Sequence, residues 1–247
     1  MINPKDITVI SVVGDDGGLS ETMVQSVLHF SKSPPSFIIA DNGNNAKLKR
    51  IFNFITLVKN NKDANHNNTS VRHAAGLNLI LPMVKTKYTA IVESDVVVLR
   101  NDWFDFDINK YDMMTALKKK EYGGQQLQLC FMIFKTEKVF GVDFMPIKVT
   151  NKEGTIKRDT GFRVYDKIGD EKKIFYLRQE WCKSGETKVF LKAFNYKQFE
   201  LFKDNGFPIA AHFGRGSDIS RVPGNSLGHP IDQRKAWIKA FHNYIKK

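Results

Sequence analysis

The sequence predicts an α/β fold in which a mostly parallel central sheet carries helices on both faces. Between residues 7 and 95, apolar strand-like runs alternate with amphipathic helix-like segments, an order typical of parallel sheets. The chain has 247 residues, of which 42% are hydrophobic and 26% charged, so it can bury a sizeable core. No apolar run approaches the ~20 residues that a membrane-spanning helix needs.

The elements of the N-terminal half follow from apolar runs and the residues that interrupt them. Ile7–Val13 predicts the first strand, which ends at the glycines of residues 14–18. A helix is expected from Ser20 to about Lys32, because Ser33-Pro34-Pro35 cannot continue it. Further strands are predicted at Ser36–Ala40, Thr56–Lys59 and Tyr88–Val92, and further helices at Ala46–Phe54 and from Ser70 to about Lys85.

The pattern changes after Asp95, where helices and strands no longer alternate. Strands are predicted at Asp112–Lys118 and Leu127–Lys135, mixed structure at Phe162–Ile168 and Glu171–Tyr176, a Gly-rich loop at Asn205–Ile219 and a final helix at Ile231–Tyr244. No linker-like stretch separates the two halves. We therefore expect residues 1–247 to form a single domain with a smaller, mixed C-terminal region.

The chain is basic, with 38 Lys and Arg against 26 Asp and Glu and a net charge of +12 at pH 7. A solvated basic surface accounts for this charge. The alternative is attraction to an anion such as a nucleotide diphosphate, a phospholipid surface or an acidic glycan. The sequence has no Arg-rich arm, zinc finger or RNA-binding signature, so no nucleic-acid partner is expected.

Two features of the sequence bear on the cellular compartment. Cys130 and Cys182 form neither a metal-type cluster nor a disulfide framework. Met1–Asp6 lacks the pattern of a signal peptide. Both features predict a cytoplasmic protein, in a bacterium or in the host cytoplasm if the chain is viral.

Glu93-Ser94-Asp95 is the most informative stretch of the chain. It follows the predicted strand Tyr88–Val92 and precedes another apolar run, so both acids are expected to be buried at a cost of several kcal/mol unless they are compensated. Ligands collect at strand ends in open α/β sheets, and acids there favour a hard cation such as Mg²⁺ or Mn²⁺. The alternative is a solvated acidic turn.

Several common nucleotide and catalytic motifs are absent from the sequence. Residues 14–18 follow the first strand but do not spell Gly-x-Gly-x-x-Gly, which argues against a dinucleotide site. The sequence also has no P-loop, no Gly-x-Ser-x-Gly elbow and no kinase signature. The Gly-rich first loop of uridylyltransferases is missing as well.

Four segments carry a resemblance to a known family: Ile7–Val13, Asp41–Asn44, Ser70–Asn78 and Glu93–Asp95. The first resembles the opening strand of the GT-A glycosyltransferases of the nucleotide-diphospho-sugar transferase superfamily, in particular the inverting family 2 type. The second is similar to their Asp-rich turn, the third to their Ala-Arg-Asn-x-Gly helix start, and the fourth to their Asp-x-Asp motif. The resemblance covers residues 1–100 and implies a GT-A-like, Rossmann-like fold.

The chain also departs from that family. Glu93 replaces the first Asp of the acidic motif, and His73 stands where Asn is usual. The acceptor-side Glu-Asp pair of the family is not matched. Residues Arg178–Trp181 resemble its Gln-x-x-Arg-Trp motif only distantly.

The resemblance implies a transferase that moves a sugar from a nucleoside diphosphate sugar donor to a hydroxyl group of a glycan or glycoprotein. A UDP-linked donor and inversion at the sugar are preferred. Mn²⁺ or Mg²⁺ would stabilise the departing nucleoside diphosphate. Residues 1–100 would bind the nucleotide sugar and residues 101–247 the acceptor, and the basic surface would allow peripheral contact with a membrane.

At the acidic turn, Asp95 is the first choice of metal ligand. Glu93 would contact the ribose, or the metal through water, as the resemblance implies. Val12 and Ser94 are expected beside the nucleotide sugar on the same basis.

Asp41 and Arg72 are expected to contact the nucleotide. Asp41 would accept a hydrogen bond from the base, although an Asp at this position can equally stabilise its own turn. Arg72 would reach the base or a phosphate, unless it is a surface residue. His73 is interpreted as structural.

The segment Ala210–Ser217 is a second candidate site. His212 lies at a predicted strand-to-loop transition and resembles the third metal ligand that some GT-A enzymes take from a C-terminal histidine, although a lone histidine is more often structural. Gly214 and Gly216 would let backbone amides approach a phosphate, with Arg215 adding charge.

An inverting transferase needs a carboxylate that takes the proton of the acceptor hydroxyl group. Asp159, in a turn that ends at Gly161, is the leading candidate, and Glu180 is the second. The alternative is that Asp159 caps the following helix, with Thr160 and Gly161 in its first turn.

Trp103, Trp181 and Phe207 could stack on a sugar, but core packing is the preferred interpretation of all three.

Two rival functions remain. A nucleotidyltransferase of related fold would also need an acidic metal site, and it would release pyrophosphate from a sugar phosphate and a nucleoside triphosphate. A basic nucleic-acid-binding protein would show steeply salt-dependent affinity and would be indifferent to loss of Asp95.

Overall fold

The computed structural model describes residues 2–14, 18–61, 68–118, 126–151, 154–158, 160–182, 199–213 and 231–246. A ten-stranded sheet and a separate two-stranded hairpin contain the strands of these residues. The strands are β1 (Ile7–Val13), β2 (Ser36–Asp41), β3 (Thr56–Lys59), β4 (Tyr88–Val92), β5 (Val96–Val98), β6 (Met113–Lys118), β7 (Gln126–Lys135), β8 (Ile147–Asn151), β9 (Gly154–Arg158), β10 (Ile174–Cys182), β11 (Phe199–Asp204) and β12 (Phe207–His212). The helices are α1 (Leu19–His29), α2 (Ala46–Ile51), α3 (Thr69–Ile80), α4 (Thr136–Val139), α5 (Phe162–Ile168) and α6 (Ile231–Ile245).

The N-terminal half contains the predicted parallel sheet. Strands β3, β2, β1 and β4 lie side by side in that order, and every pair among them is parallel. The bounds predicted for β1, β3 and β4 are confirmed, and β2 extends one residue further, to Asp41. The N-cap of α3 is Asn68, whose side chain accepts a hydrogen bond from the Ser70 amide, so this helix begins one residue before the predicted start at Ser70 and ends at Ile80 rather than near Lys85.

The sheet as a whole is mixed, which corrects the expectation of a mostly parallel one. Its strand order is β3-β2-β1-β4-β7-β6-β10-β11-β12-β5. Five of its nine pairings are antiparallel, namely β4-β7, β7-β6, β10-β11, β11-β12 and β12-β5. Parallel neighbours need long crossover connections, and the C-terminal half instead joins most of its strands as antiparallel neighbours, with the parallel pair β6-β10 as the exception.

The predicted loop at Asn205–Ile219 is wrong over its first part, because Phe207–His212 is strand β12. β11 and β12 form a hairpin whose two turn residues, Asn205 and Gly206, have φ angles of 48° and 84°. Asn-Gly with positive φ at both positions is the preferred two-residue hairpin turn. Residues 214–219 of the predicted loop lie outside the described residues.

Helices cover both faces of the parallel strands. On one face, Met23 and Val24 of α1 share an apolar cluster with Val9 and Ile39. On the other face, Leu77 of α3 packs in a second cluster that contains the alternate strand residues Ile10 and Ile38. Because successive strand residues point to opposite faces, one run of apolar residues supplies both layers.

The final helix closes the far end of the sheet. Trp237 and Phe241 of α6 are fully buried in a third cluster with Leu201 and Ala211. Among the described residues, no helix combines the length and hydropathy that crossing a bilayer requires.

Strand β5 is close to β4 in sequence but lies at the edge of the sheet. This strand begins only four residues after the end of β4, yet it pairs with β12 at the opposite end of the sheet. The Phe213 amide, just beyond β12, donates a hydrogen bond of 2.9 Å to the Asp95 carbonyl oxygen. The C-terminal half of the sheet therefore meets the acidic turn between β4 and β5.

Candidate functional site

The acidic turn is fixed by backbone hydrogen bonds on both sides. The Glu93 amide donates to the Cys130 carbonyl oxygen at 3.0 Å, and the Val96 amide donates to the Glu93 carbonyl oxygen at the same distance. Asp95 is 3% exposed, whereas the Glu93 side chain is 27% exposed. Asp95 is therefore buried at the carboxyl end of β4, as the flanking apolar runs predicted.

His212 completes a three-residue cluster with these two acids. In the antiparallel pairing of β12 with β5, His212 lies opposite Val96. Its Nε2 atom is 3.3 Å from Asp95 Oδ1. One possible ligand atom from each of Glu93, Asp95 and His212 lies within 4.8 Å of the others, so the cluster can hold a metal ion.

The donor set of this cluster fits the divalent cation that the sequence predicted. Carboxylate oxygens suit Mg²⁺ and Mn²⁺, and an imidazole nitrogen is a ligand that Mn²⁺ accepts more readily than Mg²⁺ does. Asp95 is buried, and a cation would compensate the cost of its charge. The sequence reasoning selected all three residues, and the structure brings them together although His212 is far from the acids in sequence.

The other ring nitrogen of His212 faces a residue that the sequence reasoning missed. Glu200 is 4% exposed, and its Oε2 atom lies 2.6 Å from His212 Nδ1. The two residues are directly opposite each other in the β11-β12 pairing. A sequence signal was present, because Glu200 is an acid within the apolar run Phe199–Phe202, the criterion that selected the acidic turn.

Cys130 and the carboxylates determine the protonation of this cluster. Burial raises the pKa of the Cys130 thiol to about 12, so this group is a thiol at neutral pH. Burial disfavours a charged His212 ring, but the negative charge of the adjacent Asp95 carboxylate opposes this effect, and the pKa of His212 is raised well above 6.5. Without a metal, a protonated ring therefore compensates the neighbouring acids.

Asp41 stabilises its own turn. Its carboxylate accepts hydrogen bonds from the Gly43 amide at 2.9 Å and from Asn45 Nδ2 at 2.8 Å, and Lys59 Nζ lies 3.6 Å away. Asn45 also donates to the Gly14 carbonyl oxygen. The turn-stabilising alternative is thus present, and contact with a base stays a prediction.

The start of α3 lies beside the ends of the parallel strands. Asn42 Nδ2 donates to the Arg72 carbonyl oxygen at 3.1 Å, which attaches this helix turn to the end of β2. His73 Nε2 lies 3.4 Å from Glu93 Oε1. The N-terminal turns of α3 therefore connect the Asp41 turn to the acidic turn.

Val12 and Ser94 are both buried, at 8% and 2% exposure. Val12 lies under α3, because an added Cβ at Gly76 would come within 2.7 Å of its side chain. For both residues, contact with a nucleotide sugar stays a prediction.

The two candidate bases differ in what the structure describes of them. Glu180 pairs with Lys203 at 2.6 Å and alternates in β10 with Gln179, which faces Glu200, so it points to the other face of the sheet from His212. Asp159 and Arg215 lie outside the described residues. The N-cap of α5 is Gly161, so the alternative that Asp159 caps this helix is wrong.

The aromatic candidates separate by burial. Trp103 is fully buried, which confirms core packing. Trp181 and Phe207 are 61% and 67% exposed, so core packing was the wrong expectation for these two. Phe207 is at the hairpin end of β12, and Trp181 is directly opposite Glu200 in the β10-β11 pairing.

No protein-family model and no curated protein sequence matches the chain. Among solved structures, the chain is similar to the bifunctional IspDF from Campylobacter jejuni, at 11% identity and a TM-score of 0.46 over 70% of this chain and 50% of that one. It is also similar to the mannosyltransferase PcManGT from Pyrobaculum calidifontis in complex with GDP-Man and Mn²⁺, at 14% identity and a TM-score of 0.42 over 56% and 48%. A third is glucosyl-3-phosphoglycerate synthase from Mycobacterium tuberculosis in complex with Mn²⁺, UDP and glucosyl-3-phosphoglycerate, at 12% identity and a TM-score of 0.44 over 69% and 68%.

The chain spans about half the length of the first two of these proteins. The similarity is one of fold alone. It assigns neither a substrate nor a reaction to this chain.

Proposed function

We propose that this chain is a metal-dependent glycosyltransferase of the GT-A type. It would move a sugar, with inversion, from a UDP-linked donor to a hydroxyl group of a glycan or glycoprotein. The observation that carries the proposal is the meeting of Glu93, Asp95 and His212 at the carboxyl end of a parallel strand, the edge at which open α/β sheets bind their ligands.

In this proposal Asp95 and His212 hold Mn²⁺ or Mg²⁺, and Glu93 contacts the ion through water or contacts the ribose. When bound, the ion would neutralise the diphosphate of the donor and so stabilise the leaving group. Arg72, near the start of α3, would contact the base or a phosphate, and Arg215 would add positive charge. The turn at Asp41 would receive the base.

The acceptor would lie on the side of β10. Trp181, Glu200 and His212 are directly opposite one another in consecutive antiparallel pairings, so their side chains share one face of the sheet. Trp181 is two strands from His212, a backbone separation of ~10 Å. Its exposed indole ring would stack on the acceptor sugar.

The base that takes the acceptor proton would be Asp159. The hydroxyl group of the adjacent Thr160 donates a hydrogen bond of 3.0 Å to the Ser70 carbonyl oxygen, which ties this segment to the start of α3. Glu180 is the weaker candidate, because it faces away from His212 and pairs with Lys203.

The proposal is tested with Asp95→Asn, assayed for Mn²⁺-dependent release of UDP from UDP-sugars. We expect a loss of at least ~100-fold, comparable to the loss of a main electrostatic contributor in other enzymes, while circular dichroism shows a native fold. Asp112→Asn is the matched control, because Asp112 is a partly buried carboxylate that pairs with Lys135 outside the site. Undiminished Mn²⁺-dependent release of UDP by Asp95→Asn would refute the proposal. Release of pyrophosphate from a sugar phosphate and UTP would instead indicate that the protein is a nucleotidyltransferase.

A further inference from the structure

Glu200 is a buried acid whose carboxylate is saturated with hydrogen bonds. It is 4% exposed in the apolar strand β11. Gln179 Nε2 donates to its Oε1 atom at 2.8 Å, and Gln128 Nε2 donates to its Oε2 atom at 3.1 Å. A buried charge is costly unless several partners satisfy it, and here Gln179 of the neighbouring strand β10 and Gln128 of β7 supply two of those partners.

The third partner is His212, and its two ring nitrogens have different neighbours. Nδ1 lies 2.6 Å from Glu200 Oε2, and Nε2 lies 3.3 Å from Asp95 Oδ1. A carboxylate can only accept a hydrogen bond, so Nδ1 must carry the proton. In the neutral ring the lone pair is then on Nε2, the nitrogen that faces the acidic turn.

A second metal ion among Cys130, Glu200 and His212 is a rival explanation of the same geometry. Ligand atoms each ~2.1 Å from an octahedral ion lie ~3 Å apart, whereas His212 Nδ1 and Glu200 Oε2 are at hydrogen-bonding distance, 2.6 Å. Cys130 is also a buried thiol, and a metal ligand must be a thiolate. The geometry therefore fits a hydrogen bond rather than a bridging ion.

We infer that Glu200 is a positioning residue for His212, which it holds so that Nε2 faces Glu93 and Asp95. The inference rests on the proposed role of His212 as a metal ligand. Carboxylates that orient a ligating histidine through its second nitrogen fix both the tautomer and the ring orientation, and losing one lowers metal affinity by ~10–100-fold. Gln128 and Gln179 orient Glu200 in turn.

The test measures Mn²⁺ affinity of the full chain without nucleotide, by electron paramagnetic resonance of free Mn²⁺. We expect Glu200→Gln to weaken binding by ~10–100-fold, with UDP affinity in the absence of metal unchanged. The same substitution in a His212→Ala background should cause no further loss, because the histidine that Glu200 orients is gone. Asp112→Asn is the control for losing a partly buried carboxylate elsewhere.

A second measurement separates positioning from general stabilisation. In metal-free protein with ¹⁵N-labelled histidine, at a pH at which the ring is neutral, two-bond ¹⁵N–¹H spectra should show His212 protonated at Nδ1, and Glu200→Ala should give a mixture of the two tautomers. If Glu200→Gln does not fold, Gln179→Met removes one of the donors to Glu200 and should lower Mn²⁺ affinity by about fivefold.

The outcomes distinguish this inference from the proposed function. Normal Mn²⁺ affinity in Glu200→Gln or Gln179→Met, together with weakened affinity in His212→Ala, would overturn the inference alone. Normal affinity in His212→Ala would overturn the metal role of His212 and with it the inference.

Discussion

Gly76 determines how closely α3 approaches the parallel strands. An added Cβ there would lie 2.7 and 2.8 Å from the two methyl carbons of Val12 and 3.2 Å from Ala40 Cβ. Ordinary carbon contacts are ~3.5–4.0 Å, so Gly76→Ala forces a displacement of about 1 Å. Val12 cannot rotate away easily, because β-branched side chains are restricted at χ1.

The expected result is a net destabilisation by Gly76→Ala. Overpacking costs ~1–3 kcal/mol, and the better helix propensity of Ala returns ~1 kcal/mol. We therefore expect a loss of up to roughly 2 kcal/mol in the free energy of unfolding, measured by urea denaturation as a lower midpoint with an unchanged slope.

Val12→Ala provides the control, because it removes both methyl groups that the new Cβ would meet. In that background Gly76→Ala should be neutral or stabilising by up to ~1 kcal/mol, a coupling of at least ~1 kcal/mol between the two positions. If Gly76→Ala changed the free energy of unfolding equally in the native and the Val12→Ala backgrounds, the close approach of α3 to β1 would be refuted.

Two further predictions concern pH and the acceptor. Mn²⁺ affinity should rise with pH until the pH reaches the pKa of His212, which is raised well above 6.5, and should level off above it, because a metal must displace the proton of this ring; an affinity that is constant from pH 6 to 9 would contradict ligation by this residue. In the metal-free protein the protonated ring should add stability that is fully present below pH 6.5 and lost as the pH rises through the raised pKa, which thermal melts in EDTA can measure. Trp181→Ala should leave the free energy of unfolding within ~0.5 kcal/mol but raise KM for the acceptor sugar by about tenfold, and an unchanged acceptor KM would exclude Trp181 from the acceptor site.

The sequence predicted the N-terminal half well because its strands are buried on both faces. Strands such as Ile7–Val13 and Tyr88–Val92 are mostly apolar runs that are buried at every residue and end at a glycine-rich or an acidic turn. The first and last residues of such strands are easy to locate in the sequence, because the helices between them end at recognisable stop signals. In this half, local sequence and tertiary packing favour the same structure.

The C-terminal half was less predictable because its pairing depends on contacts between distant strands. Asn205-Gly206 was interpreted as part of a loop, although this dipeptide is also the strongest signal for a tight hairpin. Without this hairpin the sequence does not predict strand β12, nor its antiparallel pairing with β11 and β5. Local propensity alone does not specify which strands become neighbours.

The residues of the candidate site also differ in whether the local sequence alone can identify them. Glu93 and Asp95 were found because two acids within an apolar stretch are locally anomalous. Glu200 carries the same anomaly, but its meaning depends on lying opposite His212 in β12, a pairing that the sequence reasoning did not predict.

Charge compensation explains why these residues belong together. Asp95 and Glu200 are both almost fully buried, on opposite sides of the His212 ring, and two buried carboxylates would be strongly destabilising without a positive charge between them. A protonated His212 supplies one positive charge in the metal-free protein, whereas a bound divalent ion would supply two after displacing the proton from Nε2. In the proposed site a cation would therefore lie beside the buried acids with or without the metal, and the hydrogen bond to Glu200 would hold the ring in one orientation in both states.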